Sequence, residues 1–171
     1  MDTSRIASQP PANDPGGEDI RQQLRRDHEA ALAELDLLRD ERDERRCGTR
    51  LRELRRAWIV HALAEETVVY RALDGSHGSS EGRVRADERF IEHEIVGSLF
   101  DKLSRSGARS LEWNARVNVL GELMRRHIER EQADLFEALG ARFDDGALAE
   151  MGRRFTLARD KLLLLEEAKA A

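Results

Sequence analysis

The chain is predicted to be all-α: an antiparallel up-down-up-down four-helix bundle followed by an additional C-terminal helix. Three observations lead there. Apolar residues recur at helical spacing along almost the whole length after residue 17, and no Pro follows Pro15. Charged residues make up 37% of the chain with both signs interleaved, as in the Arg-Asp-Glu-Arg-Asp-Glu-Arg-Arg run at 39–46, which suits helices with solvated outer faces. Finally, a spaced set of histidines and glutamates comes twice, as His28, His61 and Glu65 and again as His93, His127 and Glu131.

Residues 1–17 hold all three prolines and the Gly16-Gly17 pair with almost nothing to bury, so they read as a disordered lead-in. Residues 18–142 are expected to form the bundle. Its first helix starts near Glu18, places Leu24, His28, Ala31, Leu35 and Leu38 on one seam, and is expected to end at Gly48. The second is expected from Thr49 as N-cap, with Leu54, Trp58, His61, Glu65, Val68 and Ala72 inward, until the Gly/Ser-rich run at 74–80. The third, from about Glu81 to Arg105, carries Ala86, Phe90, His93, Gly97 and Phe100. The fourth, from about Ser110 to Leu139, carries Val117, Leu120, Met124, His127, Glu131, Leu135 and Ala138, with Gly140 as its stop. Residues 143–171 hold a further amphipathic helix, with Leu148, Met151, Phe155, Ala158 and Leu162 on one side. It is expected to cap the open end of the bundle, the alternative being a homodimer formed through it.

Composition excludes several classes of function. The net charge of −5 is spread without a basic stripe, which argues against nucleic acid as a partner. No apolar run reaches the roughly 18 residues of a membrane span, and no basic-then-apolar start marks a secretory signal, so the expected compartment is cytoplasmic. The single cysteine, Cys47, allows no intrachain disulfide and reads as an incidental surface or loop thiol at a helix end. His77 lies in the Gly/Ser-rich run, off every seam, and reads as a solvated loop residue.

The spacing shows how the six repeated residues can meet. The separations 61 − 28 = 33 and 127 − 93 = 34 nearly agree, as they must if the histidines of each helix pair lie at one level. The middle separation, 93 − 61 = 32, is similar, which puts that level near the middle of the bundle, roughly 20 Å from either end for legs of about 14 residues. His and Glu four apart share a helix face one turn apart, so each His-x-x-x-Glu pair can offer an imidazole nitrogen and a carboxylate to adjacent cations. Burying two carboxylates and four imidazoles without a cation is costly. Four nitrogen donors with two carboxylates suit iron better than calcium or magnesium.

These residues resemble the hemerythrin-like, or HHE cation-binding, family. The likeness runs from about Glu18 to Leu139 and is carried by Asp27-His28-Glu29, His61-Ala-Leu-Ala-Glu65-Glu66, Glu92-His93-Glu94 and His127-Ile-Glu-Arg-Glu131. The resemblance implies two iron ions in a non-haem centre, bridged by Glu65, Glu131 and an oxo or hydroxo group. It associates His28 and His61 with one iron and His93 and His127 with the other. Oxygen carriers of the family have a further His on the third helix, where this chain has Arg89, and that departure shifts the expectation from reversible carriage toward reaction. The expected role is binding or reacting with O2, NO or peroxide in sensing, storage or detoxification, with an oxygen- or peroxide-reactive activity undecided. The alternative is an iron-responsive interaction module without turnover. Ferritin-like oxidases use Glu-x-x-His and more carboxylates, which disfavours them here. Tyr70, nine residues after His61 and near the opposite azimuth, is read as packing.

Overall fold

The computed structural model describes residues 17–74 and 80–170, and every regular element in them is helical. They run as α1 (Ile20–Asp40), α2 (Glu44–Glu65), a π-turn (Glu66–Tyr70), α3 (Arg71–Asp74), α4 (Ser80–Ser104), α5 (Leu111–Arg130), a second π-turn (Glu131–Leu135), α6 (Phe136–Arg142) and α7 (Asp145–Ala170). The expectations for residues 1–16, for His77 and for the Ala86 side chain lie outside the described residues. No helix among the described residues is long and apolar enough to cross a membrane.

The first helix connection corrects the sequence reading. Gly48 does not break a helix and Thr49 caps none: α1 stops at Asp40, and Gly48 sits one turn inside α2. Side-chain chemistry makes the turn instead. Glu41 Oε1 accepts from the backbone N–H of Arg42 at 2.9 Å and of Asp43 at 3.0 Å, and Asp43 Oδ1 caps α2 by accepting from Arg46 N at 2.9 Å. The same shift carries Cys47 into the core, fully buried within α2, with its thiol pushed up chiefly by burial. It is neither a surface nor a loop thiol. The other starts follow the expected chemistry: Asp19 caps α1 and Ser110 caps α5, accepting from Trp113 N at 3.1 Å.

Two π-turns sit at equivalent places in the repeat, with 131 − 66 = 65 and 135 − 70 = 65. A π-turn adds a residue to the helical winding and so moves every later side chain to a new azimuth. After the second one the buried positions are Phe136 and Leu139, whereas Ala138 is exposed, and the helix runs through Gly140 to Arg142. The uninterrupted periodicity assumed for the fourth helix fails at this point.

Apolar side chains pack in two clusters. One gathers Leu35, Leu38, Leu54, Phe100, Trp113 and Leu120, and the other Ile20, Leu24, Tyr70, Leu139, Met151 and Phe155. On α1, α2 and α4 the change from one cluster to the other falls at the repeated histidines, His28 lying between Leu24 and Ala31, His61 between Trp58 and Ala64, and His93 between Phe90 and Val96, while on α5 it falls between Ile128 and Leu135, around Glu131. The polar groups therefore occupy the middle of a helical bundle, sealed by hydrophobic material on both sides.

The last helix, α7, packs along α1 and α2 and reaches the first π-turn. Leu148, Met151 and Phe155 join the second apolar cluster, and Arg159 reaches Asp27. Close approach near the start of α1 depends on Gly152: a Cβ there would stand 2.1 Å from Glu18 O and 2.5 Å from Gln23 Nε2. A helix interior otherwise disfavours glycine by about 1 kcal/mol relative to alanine, so the contact explains the residue.

Candidate metal centre

The structure brings all six repeated residues, His28, His61, Glu65, His93, His127 and Glu131, into one buried cluster. Their donor atoms form two overlapping sets, each within 4.8 Å: Glu65, His93, His127 and Glu131 in one, and His28, His61 and Glu131 in the other. Glu131 belongs to both. Its Oε2 is 3.3 Å from His28 Nε2 and 3.2 Å from His127 Nε2, while Glu65 Oε2 is 3.9 Å from His61 Nε2 and 3.7 Å from His93 Nε2. All four Nε2 atoms thus turn toward the carboxylates, and those of His93 and His127 approach to 3.1 Å.

Each Nδ1 atom faces outward onto a side chain of the preceding helix in the repeat. His61 Nδ1 meets Asp27 Oδ2 at 3.3 Å, His93 Nδ1 meets Glu66 Oε1 at 2.8 Å, and His127 Nδ1 meets Glu92 Oε2 at 2.9 Å. The ring closes through Gln132, whose Nε2 lies 3.4 Å from His28 Nδ1. A carboxylate only accepts, so Asp27, Glu66 and Glu92 hold a proton on Nδ1, which makes Nε2 the nitrogen that each ring can offer to the centre. An imidazole ligand needs this arrangement. The signal was in the sequence: a polar residue stands directly beside His28, Glu65, His93 and Glu131, at 27, 66, 92 and 132. What periodicity cannot supply is the partner, which in every case lies on another helix.

Tyr70 corrects a further expectation. It packs, but its hydroxyl also enters the centre, 3.1 Å from Glu65 Oε2 and 2.5 Å from Glu131 Oε1. The π-turn at Glu66–Tyr70 makes the five-residue step from Glu65 to Tyr70 span about one turn, so both face inward. An unbroken α-helix would have turned Tyr70 away.

The protonation pattern follows from burial and crowding. Burial, opposed by the Asp27 hydrogen bond, brings the His61 imidazole down to about 4, so it is neutral at pH 7. Burial also acts against charge on His127, but Glu131, Glu92 and Glu65 outweigh it and push that imidazole up to about 10. Glu65 is held well above the usual carboxylate range by burial and by the charge of Glu131. Glu131 lies well below that range because His127 and His28 overcome its burial. The two carboxyls are thus pushed in opposite directions.

The donor set fits a pair of cations. His28 Nε2, His61 Nε2, Glu65 Oε1 and Glu131 Oε2 are buried without a hydrogen-bond partner among the described residues. Leaving such atoms unsatisfied costs about 1–3 kcal/mol each, and more for a carboxylate. Mixed imidazole and carboxylate donors are those of a transition metal.

Comparison with curated proteins and with solved structures gave no match. The family model for the hemerythrin HHE cation-binding domain matches residues 19–139, which include the whole cluster, and the chain belongs to that family.

Proposed function

We propose that this chain holds two iron ions and uses them to bind or react with a small ligand of the O2, NO or peroxide class. The carrying observation is the convergence of four bare or exchangeable Nε2 atoms on two shared carboxylates, each imidazole backed at Nδ1. In this reading His28 and His61 hold one ion, His93 and His127 the other, and Glu65 and Glu131 bridge them. The four long segments are then the legs of an antiparallel up-down-up-down bundle with α7 added along its side. Tyr70 supplies a further oxygen next to both carboxylates, on a helix other than the one bearing Arg89.

Bound iron would supply redox and Lewis-acid chemistry. The chain's own contribution is to exclude water with two apolar clusters, to orient the imidazoles, and to hold a proton between Glu65, Tyr70 and Glu131.

Elemental mass spectrometry after growth with added iron tests the reading. About two irons per native chain are expected, and almost none in a His61→Ala, His127→Ala variant. Oxygen, nitric oxide and peroxide assays then separate the ligand classes. Iron-free native protein would sink the reading.

A second reading, an iron-responsive interaction module, is favoured by one contact. Asp27 backs His61 and also accepts from Arg159 of α7, at 2.8 Å and 3.1 Å. Loading that re-orients His61 would then be felt by α7. Hydrogen exchange of α7 with and without iron tests it: protection that is unchanged by iron removes this reading.

A further inference from the structure

A cleft of about 420 Å³ runs between α1, α2 and α7 and reaches the His28 and His61 side of the cluster. Its walls are mainly apolar, with Ala31, Leu54, Val60 and Leu163 along them, and Ala30 and Ala57, both exposed, line it at the surface. A dry cavity of about 150 Å³ already admits benzene, and small-molecule sites begin near 300 Å³. The wall contributed by α7 lies beyond residues 19–139, so the cleft is not part of the family domain alone.

We propose that this cleft binds a neutral, largely apolar small molecule, seated beside His28 and His61. Two features select that chemistry. The apolar walls favour a hydrocarbon body. The charged residues of the lining are internally compensated, Asp27 by Arg159 at 2.8 Å and Glu34 by Arg50 at 2.7 Å, and Glu53 adds negative charge, so an anion is disfavoured. The cleft makes the centre a place where an organic molecule and a pair of cations can be neighbours, which a chain handling only a diatomic ligand does not need.

The experiment is calorimetric titration of the full chain, metal-free and zinc-loaded, with acetophenone, ethylbenzene and benzoate. These share size and shape but differ in polarity and charge. Acetophenone and ethylbenzene are expected to bind in both states, and benzoate at least about tenfold more weakly. Ala57→Phe and Ala30→Leu each fill the cleft from its exposed side and should weaken acetophenone at least about tenfold. Circular dichroism identifies a filling variant that is folded. Absence of acetophenone binding, equal binding of benzoate, or binding untouched by the folded filling variants would overturn the proposal. Because the metal-free chain is tested alongside, loss of the iron reading does not decide this one.

Discussion

The hydroxyl of Tyr70 lies 2.5 Å from Glu131 Oε1 and 3.1 Å from Glu65 Oε2, joining the two carboxyl groups through one oxygen. Tyr70 is the donor in both contacts, and the shorter one directs its single proton to Glu131, the carboxyl that lies well below the usual range, while that of Glu65 is held well above it. Tyr70→Phe should lower the stability of the metal-free chain by about 1–3 kcal/mol, read by denaturant unfolding. It should also weaken cation binding about 10–100-fold. A tyrosine that only packs would leave the affinity unchanged.

The ring around the histidines is asymmetric at one place. Asp27 corresponds to Glu92 in the repeat, and Glu66 to Gln132, so the fourth contact alone is an amide. An amide can accept from Nδ1–H or donate to a bare Nδ1, and therefore does not fix the tautomer of His28. Two unequal uptake steps are expected in a zinc titration, the tighter at His93 and His127. Gln132→Glu should tighten the weaker step about tenfold or more. Equal steps in the native chain would contradict the role given to this amide.

Cation uptake should release protons. At neutral pH the His127 imidazole, pushed up to about 10, must give up its Nε2 proton to become a ligand, and the upward shift of the Glu65 carboxyl acts in the same direction. Affinity should rise with pH, by about one log unit per pH unit from His127 alone while pH stays below its folded value. Titrations in buffers of different ionisation enthalpy measure the release. No release at neutral pH would mean that the cluster already stands deprotonated.

The metal-free chain should lose stability on both sides of neutrality through its histidines. His61 is lowered in the fold to about 4 from an ordinary 6.5, so its contribution is complete above 6.5 and disappears as pH falls toward 4. His127 is raised to about 10, so its contribution is complete below 6.5 and disappears as pH rises toward 10. Chemical unfolding of chelator-treated protein across pH 4–10 should show a maximum near 6.5 in what these two groups contribute. The His61→Ala variant should flatten the acid limb.

Gly152→Ala places a methyl carbon 2.1 Å from Glu18 O, an atom of the backbone that cannot swing aside. Helix propensity alone favours alanine, so a packing cost of about 2–3 kcal/mol should outweigh it and loosen α7. Thermal unfolding and exchange protection over residues 145–170 report the change.

Residue order alone establishes the all-helical character, the six residues of the cluster and their common level, because apolar spacing and the two matched separations are properties of that order. It does not reveal where the winding changes. The two π-turns carry no distinctive composition, yet each shifts the azimuth of the residues after it, which is why unbroken periodicity points Tyr70 away from the centre and Ala138 into the core. Local chemistry also misleads at Gly48, since two acidic side chains, Glu41 and Asp43, stop one helix and start the next without a glycine. Packing between helices settles the rest: which polar neighbour backs which histidine, that α7 lies along α1 and α2, and that Tyr70 joins two carboxyls. Each of these depends on side chains meeting across helices, and the order of residues in a chain does not encode that distance.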